Sequence, residues 1–139
     1  MEPIILTFDV NGDDFSVAGE ASSAVKKHLK QLGFPPDLIR RVAIAMYEGE
    51  INMVIHADGG VATAEINETG VKITLADRGP GIKDVNLAMQ EGYSTAPEEV
   101  RNLGFGAGMG LPNIKKYSDD LKIETELGVG TTLTIQINM

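Results

Sequence analysis

Cysteine is absent from the 139 residues, tryptophan is absent too, and histidine occurs only at His28 and His56. No disulfide framework or thiolate metal site is therefore available, and two histidines are too few for most zinc centres. Phe and Tyr make up 5% of the chain, which leaves little for a platform on which single-stranded bases could stack. Positive charge is scarce as well: 12 Lys and Arg stand against 20 Asp and Glu, for a formal net charge of −8. Nucleic acid is bound by basic surfaces, so this balance argues against it as a partner. No apolar run approaches the ~20 residues that span a bilayer, and no apolar targeting segment opens the chain. The absences predict a soluble, cytoplasmic protein with no membrane partner, binding a small molecule or another protein. One domain over residues 1–139 is long enough to bury a core unaided.

What is present is ordered in pairs. The run IILTFDV (4–10) before Asn11-Gly12 predicts a strand. Val17, Ala21, Ala24, Val25, Leu29 and Leu32 have helical spacing over 16–32, with Gly33 as the stop. Pro35-Pro36 opens a second, longer helix over 36–57, carried by Leu38, Val42, Ala45, Met46 and Met53; Gly59-Gly60 is expected to end it. VATAEIN (61–67) and VKITLAD (71–77) alternate across Glu68-Thr69-Gly70 and predict an antiparallel hairpin. A long, glycine-rich loop follows over 78–107, with one short helical piece at 84–91. A helix is expected at 109–117, and LKIETEL and TTLTIQINM then form a hairpin around Gly128-Val129-Gly130. This order predicts an α+β fold, a two-layer sandwich of a mixed, largely antiparallel sheet with helices on one face.

Three stretches carry chemistry. In GFGAGMGLPNIKK (104–116), four glycines at every second position run into a helix start. Ordering them is costly, and backbone N–H groups bared beside a helix N-terminus suit phosphate. No Lys follows at P-loop spacing, and the third glycine of a dinucleotide fingerprint would fall on Met109. A flexible hinge is the competing reading. Asp77-Arg78-Gly79-Pro80-Gly81 ends a strand; its carboxylate can accept from an exocyclic amine on a planar base, or the segment is an ordinary turn. On the second helix Glu48 and Asn52 share a face, with His56 one turn further. A carboxylate can activate a hydroxyl and an amide oxygen suits Mg2+; a solvated polar stripe is the alternative. Ile44 extends this line toward the apolar face, whereas Glu50 points away and is read as an ordinary surface carboxylate. Gly49 inside the helix costs about 1 kcal/mol relative to Ala, so something is expected to approach closely there.

The order of these elements resembles the ATP-binding, Bergerat-type fold of the GHKL superfamily: Glu48-x-x-x-Asn52 on a helix, Asp77-x-Gly79-x-Gly81 after a strand, a long loop, Gly106-x-Gly108-x-Gly110 at a helix start, and Gly130-Thr131 in the last hairpin. The resemblance implies ATP and Mg2+ as cofactors. Asn52 would match the Mg2+-binding asparagine and Asp77 the residue that reads the adenine amine. Gly79 and Gly81 would form the adenine-side wall, and Thr131 would lie near the base. Gly106, Gly108, Gly110 and Leu111 would sit at the phosphates, under a lid of about residues 83–107. The length matches the single-domain anti-sigma-factor and switch-protein serine kinases, and Gly110-Leu111-Pro112 is most similar to the stressosome switch kinases and their clostridial relatives. Sensor histidine kinases are a poorer match, because His28 is followed by Leu29 and His56 by Ala57. For such a kinase the resemblance implies Glu48 as general base toward a serine of a STAS-domain partner, with a sigma factor or another regulator as a further partner. Gly106-Ala107 stands where sporulation-type members carry an Arg that reaches the γ-phosphate, and Arg101 is the nearest replacement. That departure favours slower transfer, and it keeps open the alternative of a nucleotide-gated regulator-binding module without significant kinase activity.

Overall fold

A computed structural model describes residues 2–12, 18–57, 59–82, 85, 89 and 110–139. Along the chain these form β1 (Ile4–Asn11), α1 (Glu20–Gln31), α2 (Pro36–His56), β2 (Gly59–Asn67), β3 (Gly70–Asp77), α3 (Gly110–Tyr117), β4 (Asp120–Glu126) and β5 (Gly130–Asn138). The strands make one sheet in the order β1-β2-β3-β5-β4, and every pairing in it is antiparallel. Register aligns the buried residues into rows. Ala64 faces Ile73, which faces Ile135; Ala62 faces Leu75, which faces Leu133. These rows meet Val25, Leu29, Val42, Met46 and Ile114 of the helices in one core.

The opposite rows are polar. Thr7, Thr63, Thr74 and Thr134 follow one another across the sheet and are exposed or half-buried. One covered face and one open face make the expected two-layer α+β sandwich. β1 is an edge strand, and its apolar run is not buried on both faces: Ile5 is 64% exposed while Val10 is in the core. Among the described residues no helix is long and apolar enough to cross a membrane.

Helix ends explain where the boundaries moved. α1 begins at Glu20 rather than 16, behind Gly19 at φ +98°; the first part of the expected helix lies outside the described residues. At its other end Gly33, at φ +77°, lets Phe34 N reach Leu29 O at 3.1 Å and Gly33 N reach Lys30 O at 3.1 Å. That pair of bonds satisfies the last carbonyls in a Schellman motif. Pro36 starts α2, as expected. Gly59-Gly60 does more than end α2: both residues already belong to β2, at φ +81° and +154°. A Cβ on Gly59 would strike Val10 O, and one on Gly60 would strike Ala76 O. The strands on either side leave no room there for a side chain.

α2 is the central element, flanked by α1 on one side and α3 on the other and lying over β3. Gly49 marks the contact. A Cβ at that position would fall onto Leu75 Cδ1 of β3 and lie 3.8 Å from Ile114 Cδ1 of α3. The approach expected at Gly49 is therefore made by the core itself. One helical turn on, Met53 lies over Gly60, beside the Asp77 end of β3. The second half of α2 and the end of β3 thus arrive at the same end of the molecule.

Candidate functional site

Asp77, the last residue of β3, is held by its backbone surroundings. Its Oδ1 accepts from Gly79 N at 3.0 Å and from Thr131 N at 2.9 Å. The first bond is the turn expected of Asp-x-Gly; the second crosses to the start of β5. Oδ2 receives no bond from the described residues. The carboxylate is partly buried, so its orientation is fixed while one oxygen keeps its acceptor capacity.

Behind Asp77 lies a small hydroxyl network that the sequence reading missed. Thr131 is buried, and its Oγ1 is 2.9 Å from Thr125 Oγ1. Thr125 Oγ1 in turn accepts from Ile82 N at 2.9 Å. Thr125 and Thr131 are directly opposed in the β4–β5 hairpin, so the pairing could have been read by counting back from Gly128-Val129-Gly130. The network ties residues 79–82 to the hairpin, together with Gly128 N, which donates to Pro80 O at 2.9 Å. Gly79 is buried. Gly81, at φ +84°, has its Cβ direction 2.7 Å from Glu126 O, so its lack of a side chain lets the segment lie on the hairpin.

The helical side is held far more loosely. Glu48 is half-buried, and its one bond among the described residues comes from Asn113 Nδ2, 3.5 Å from Oε1. Burial pushes the Glu48 carboxyl above the ordinary carboxylate range, and the Asn113 bond partly opposes that rise. Asn113 was not foreseen; it lies one turn after Gly110, in the helix that the glycines introduce. Asn52 is half-buried one turn along from Glu48, and its side chain has no hydrogen-bond partner among the described residues. A half-buried amide with its oxygen unengaged can ligate a hard cation. No group of three or more His, Asp or Glu side chains that could hold a metal occurs among the described residues, so a cation at Asn52 would take its remaining ligands from water or from a bound anion.

Glu50 overturns its expectation. It is no surface carboxylate but 2% exposed, accepting from Gly19 N and Ser22 N at 2.8 Å each and from Ala21 N at 3.2 Å. Gly19 has no side chain with which to cap α1, and Glu50 supplies the cap from the neighbouring helix. The turn direction along α2 was read correctly, but the partner it points to was not visible in the sequence.

Of the remaining residues, Gly110 opens α3, whose first turn has no acidic residue, and Leu111 packs against the core. Gly106, Gly108 and Arg101 lie outside the described residues, as does the His56 side chain. So does the expected lid of 83–107 apart from Val85 and Met89, which share a one-turn bond, Met89 N to Val85 O at 3.0 Å.

Residues 14–137 match the family described as Histidine kinase-like ATPase domain. The serine/threonine-protein kinase RsbT of Bacillus subtilis is 32% identical over 108 residues, 75% of each chain. The anti-sigma F factor of Clostridium beijerinckii is 34% identical over 122 residues, 84% of this chain and 82% of its own. In the crystal structure of the SiaB–SiaC complex from Pseudomonas aeruginosa, one chain superposes with a TM-score of 0.62, at 18% identity, over 95% of this chain and 88% of that one.

Proposed function

Because the chain belongs to the histidine kinase-like ATPase domain family, we propose that it is an ATP-dependent protein serine/threonine kinase of a partner-switching system, acting on a STAS-domain protein. One contrast supports the reading most: a pinned acceptor, Asp77, ends β3, and an unpinned acid, Glu48, sits on the helix that lies over that strand. The donor set suits Mg2+-ATP. Asp77 Oδ2 is a fixed acceptor for the adenine amine, with Thr131 beside it, and Gly79 and Gly81 keep the adjoining chain low. The N-terminus of α3, with no acid in its first turn, favours an anion, which supports reading Gly106, Gly108, Gly110 and Leu111 as the phosphate-side residues. Asn52 is the protein ligand for Mg2+, which neutralises charge on the phosphates when bound.

Glu48 is the general base. The serine Oγ bonds to the γ-phosphorus as the bond to the ADP oxygen breaks, and the serine proton passes to the Glu48 carboxylate. A carboxyl raised by burial is better matched to that task near neutral pH than an exposed one. A cytoplasmic location goes with this reading. A second reading is favoured by the anti-sigma F factors among the relatives: a nucleotide-gated module that holds a sigma factor or other regulator without transferring phosphate.

Incubation with γ-labelled Mg2+-ATP and a STAS-domain protein separates the two. The kinase reading expects label on a partner serine with wild type and loss of label with Glu48→Gln. Tight nucleotide binding without any transfer would establish the gated module instead.

A further inference from the structure

The chain's charge is unevenly placed. Three cations on α1, two on α2 and two on α3 face only four carboxylates on the same helices, Glu20, Asp37, Glu48 and Glu50. Glu50 is buried beneath α1. Asp37 is bonded by Arg41 at 3.1 Å, and Arg41 also takes Asp119 at 3.2 Å. Next to that satisfied cluster, Arg40 and Lys116 are both exposed and have no ion-pair partner among the described residues. They share an aromatic ring instead: the Arg40 guanidinium lies 5.7 Å and Lys116 Nζ 5.4 Å from the centroid of Tyr117. The ring gathers two uncompensated cations at one spot.

That spot is in line with Glu48. α2 and α3 run antiparallel, since Arg40 meets Tyr117 while Glu48 meets Asn113. Eight residues of helix separate Arg40 from Glu48, about 12 Å of rise. Half-buried Ile44 occupies the stretch between. Resting on the kinase reading above, we propose that the α2–α3 seam docks an acidic segment of the phosphoacceptor protein, with its carboxylates at Arg40 and Lys116 and its acceptor hydroxyl at Glu48. A span of about 12 Å is three or four residues of extended chain, so the partner carries Asp or Glu about that far from its serine. A protein of net charge −8 repels an acidic partner over much of its surface, so two cations gathered beside the line to Glu48 favour this orientation of approach.

The probe is a STAS-domain protein with a carboxylate three or four positions from a surface serine, titrated calorimetrically at about 50 and about 200 mM salt. The Arg40→Glu/Lys116→Glu variant is expected to lose about tenfold or more in affinity at the lower salt and to retain ATP affinity and thermal midpoint. Reversing the partner carboxylate to Lys is expected to restore binding, and in the transfer assay KM for the partner rises while kcat is unchanged. Arg40→Ala/Lys116→Ala, gentler on the fold, should give a smaller loss in the same direction. Binding by the charge-reversed variant equal to wild type, with transfer intact in both, overturns the docking strip and leaves the kinase standing. Charge-sensitive binding without transfer does the opposite, and no association of wild type with the partner overturns both.

Discussion

Asp77 and Glu48 are both half-buried acids, yet they are held in opposite ways. Asp77 takes two backbone N–H bonds on a single oxygen, backed by Thr131, Thr125 and Ile82. Glu48 has one long bond from a side-chain amide, and Asn52 beside it has none among the described residues. Fixing a group before the ligand arrives lowers the ordering cost of binding, which suits recognition. An acid that must take up and release a proton, or an amide that must turn to a metal, is better left unsaturated. On the proposed reading, the difference separates a side that reads the nucleotide from a side that reacts.

The sharpest way to break the comparison is to disable the reacting side alone. Glu48→Gln keeps the shape and should leave ATP affinity unchanged while transfer to a partner serine falls roughly 10²–10⁴-fold in single-turnover assays. Asn52→Ala should damage Mg2+-dependent binding and transfer together, because the metal acts on both.

Disabling the reading side has a smaller effect of another kind. Asp77→Asn retains an oxygen for Gly79 N and Thr131 N but turns an amide donor toward the base. Losing a hydrogen bond to a charged group costs about 1.5–3 kcal/mol, or roughly ten- to a hundredfold in ATP affinity by calorimetry, with the chemical step unchanged once nucleotide is saturating.

The scaffold that brings the two sides together can be tested at Gly49. Gly→Ala in an exposed helix gains about 1 kcal/mol, but here the new methyl falls on Leu75 Cδ1 in the core. A net loss of about 1–2 kcal/mol in denaturant unfolding is expected, partly recovered by Leu75→Val. A gain in stability would show that α2 does not lie on β3 at this point.

The smallest effect is a displacement in pH. Glu48 is raised by burial and lowered by Asn113, and a base works ionised, so kcat/KM should rise with pH through a value above the ordinary carboxylate range. Asn113→Ala removes the opposing bond and should move that limb further up. The sign for folding follows: the stability contribution of this group is full below the ordinary value and is lost as pH rises through the raised one. Glu48→Gln removes that loss.

The elements were legible because periodicity and turn residues are local. Pro36 at the start of α2, the Gly70 turn between β2 and β3, and the hairpin around Gly128-Val129-Gly130 all fall where the sequence places them. Contacts between distant elements were not legible. Glu50 looked like a surface acid because its three N–H partners lie about 30 residues away on another helix. Gly49 announced a close approach but not whether Leu75 or a ligand makes it. Asp77 stood out by its strand-end position and Thr125 could be reached by counting the hairpin register, whereas Asn113 emerges only once the antiparallel α2–α3 contact is known. Gly59-Gly60 misled for a related reason: two glycines read as a stop, when crowding by Val10 O and Ala76 O is what requires them.

On the proposed reading, this end of the molecule binds ATP through a fixed carboxylate at Asp77. Calorimetric titration of the wild-type chain with ATP and with GTP, with and without Mg2+, tests it most directly. ATP should bind in a Mg2+-dependent manner and more tightly than GTP, which has no amine at the corresponding ring position, and the preference should collapse in Asp77→Asn. Equal affinity for ATP and GTP, or no binding of either, would contradict it.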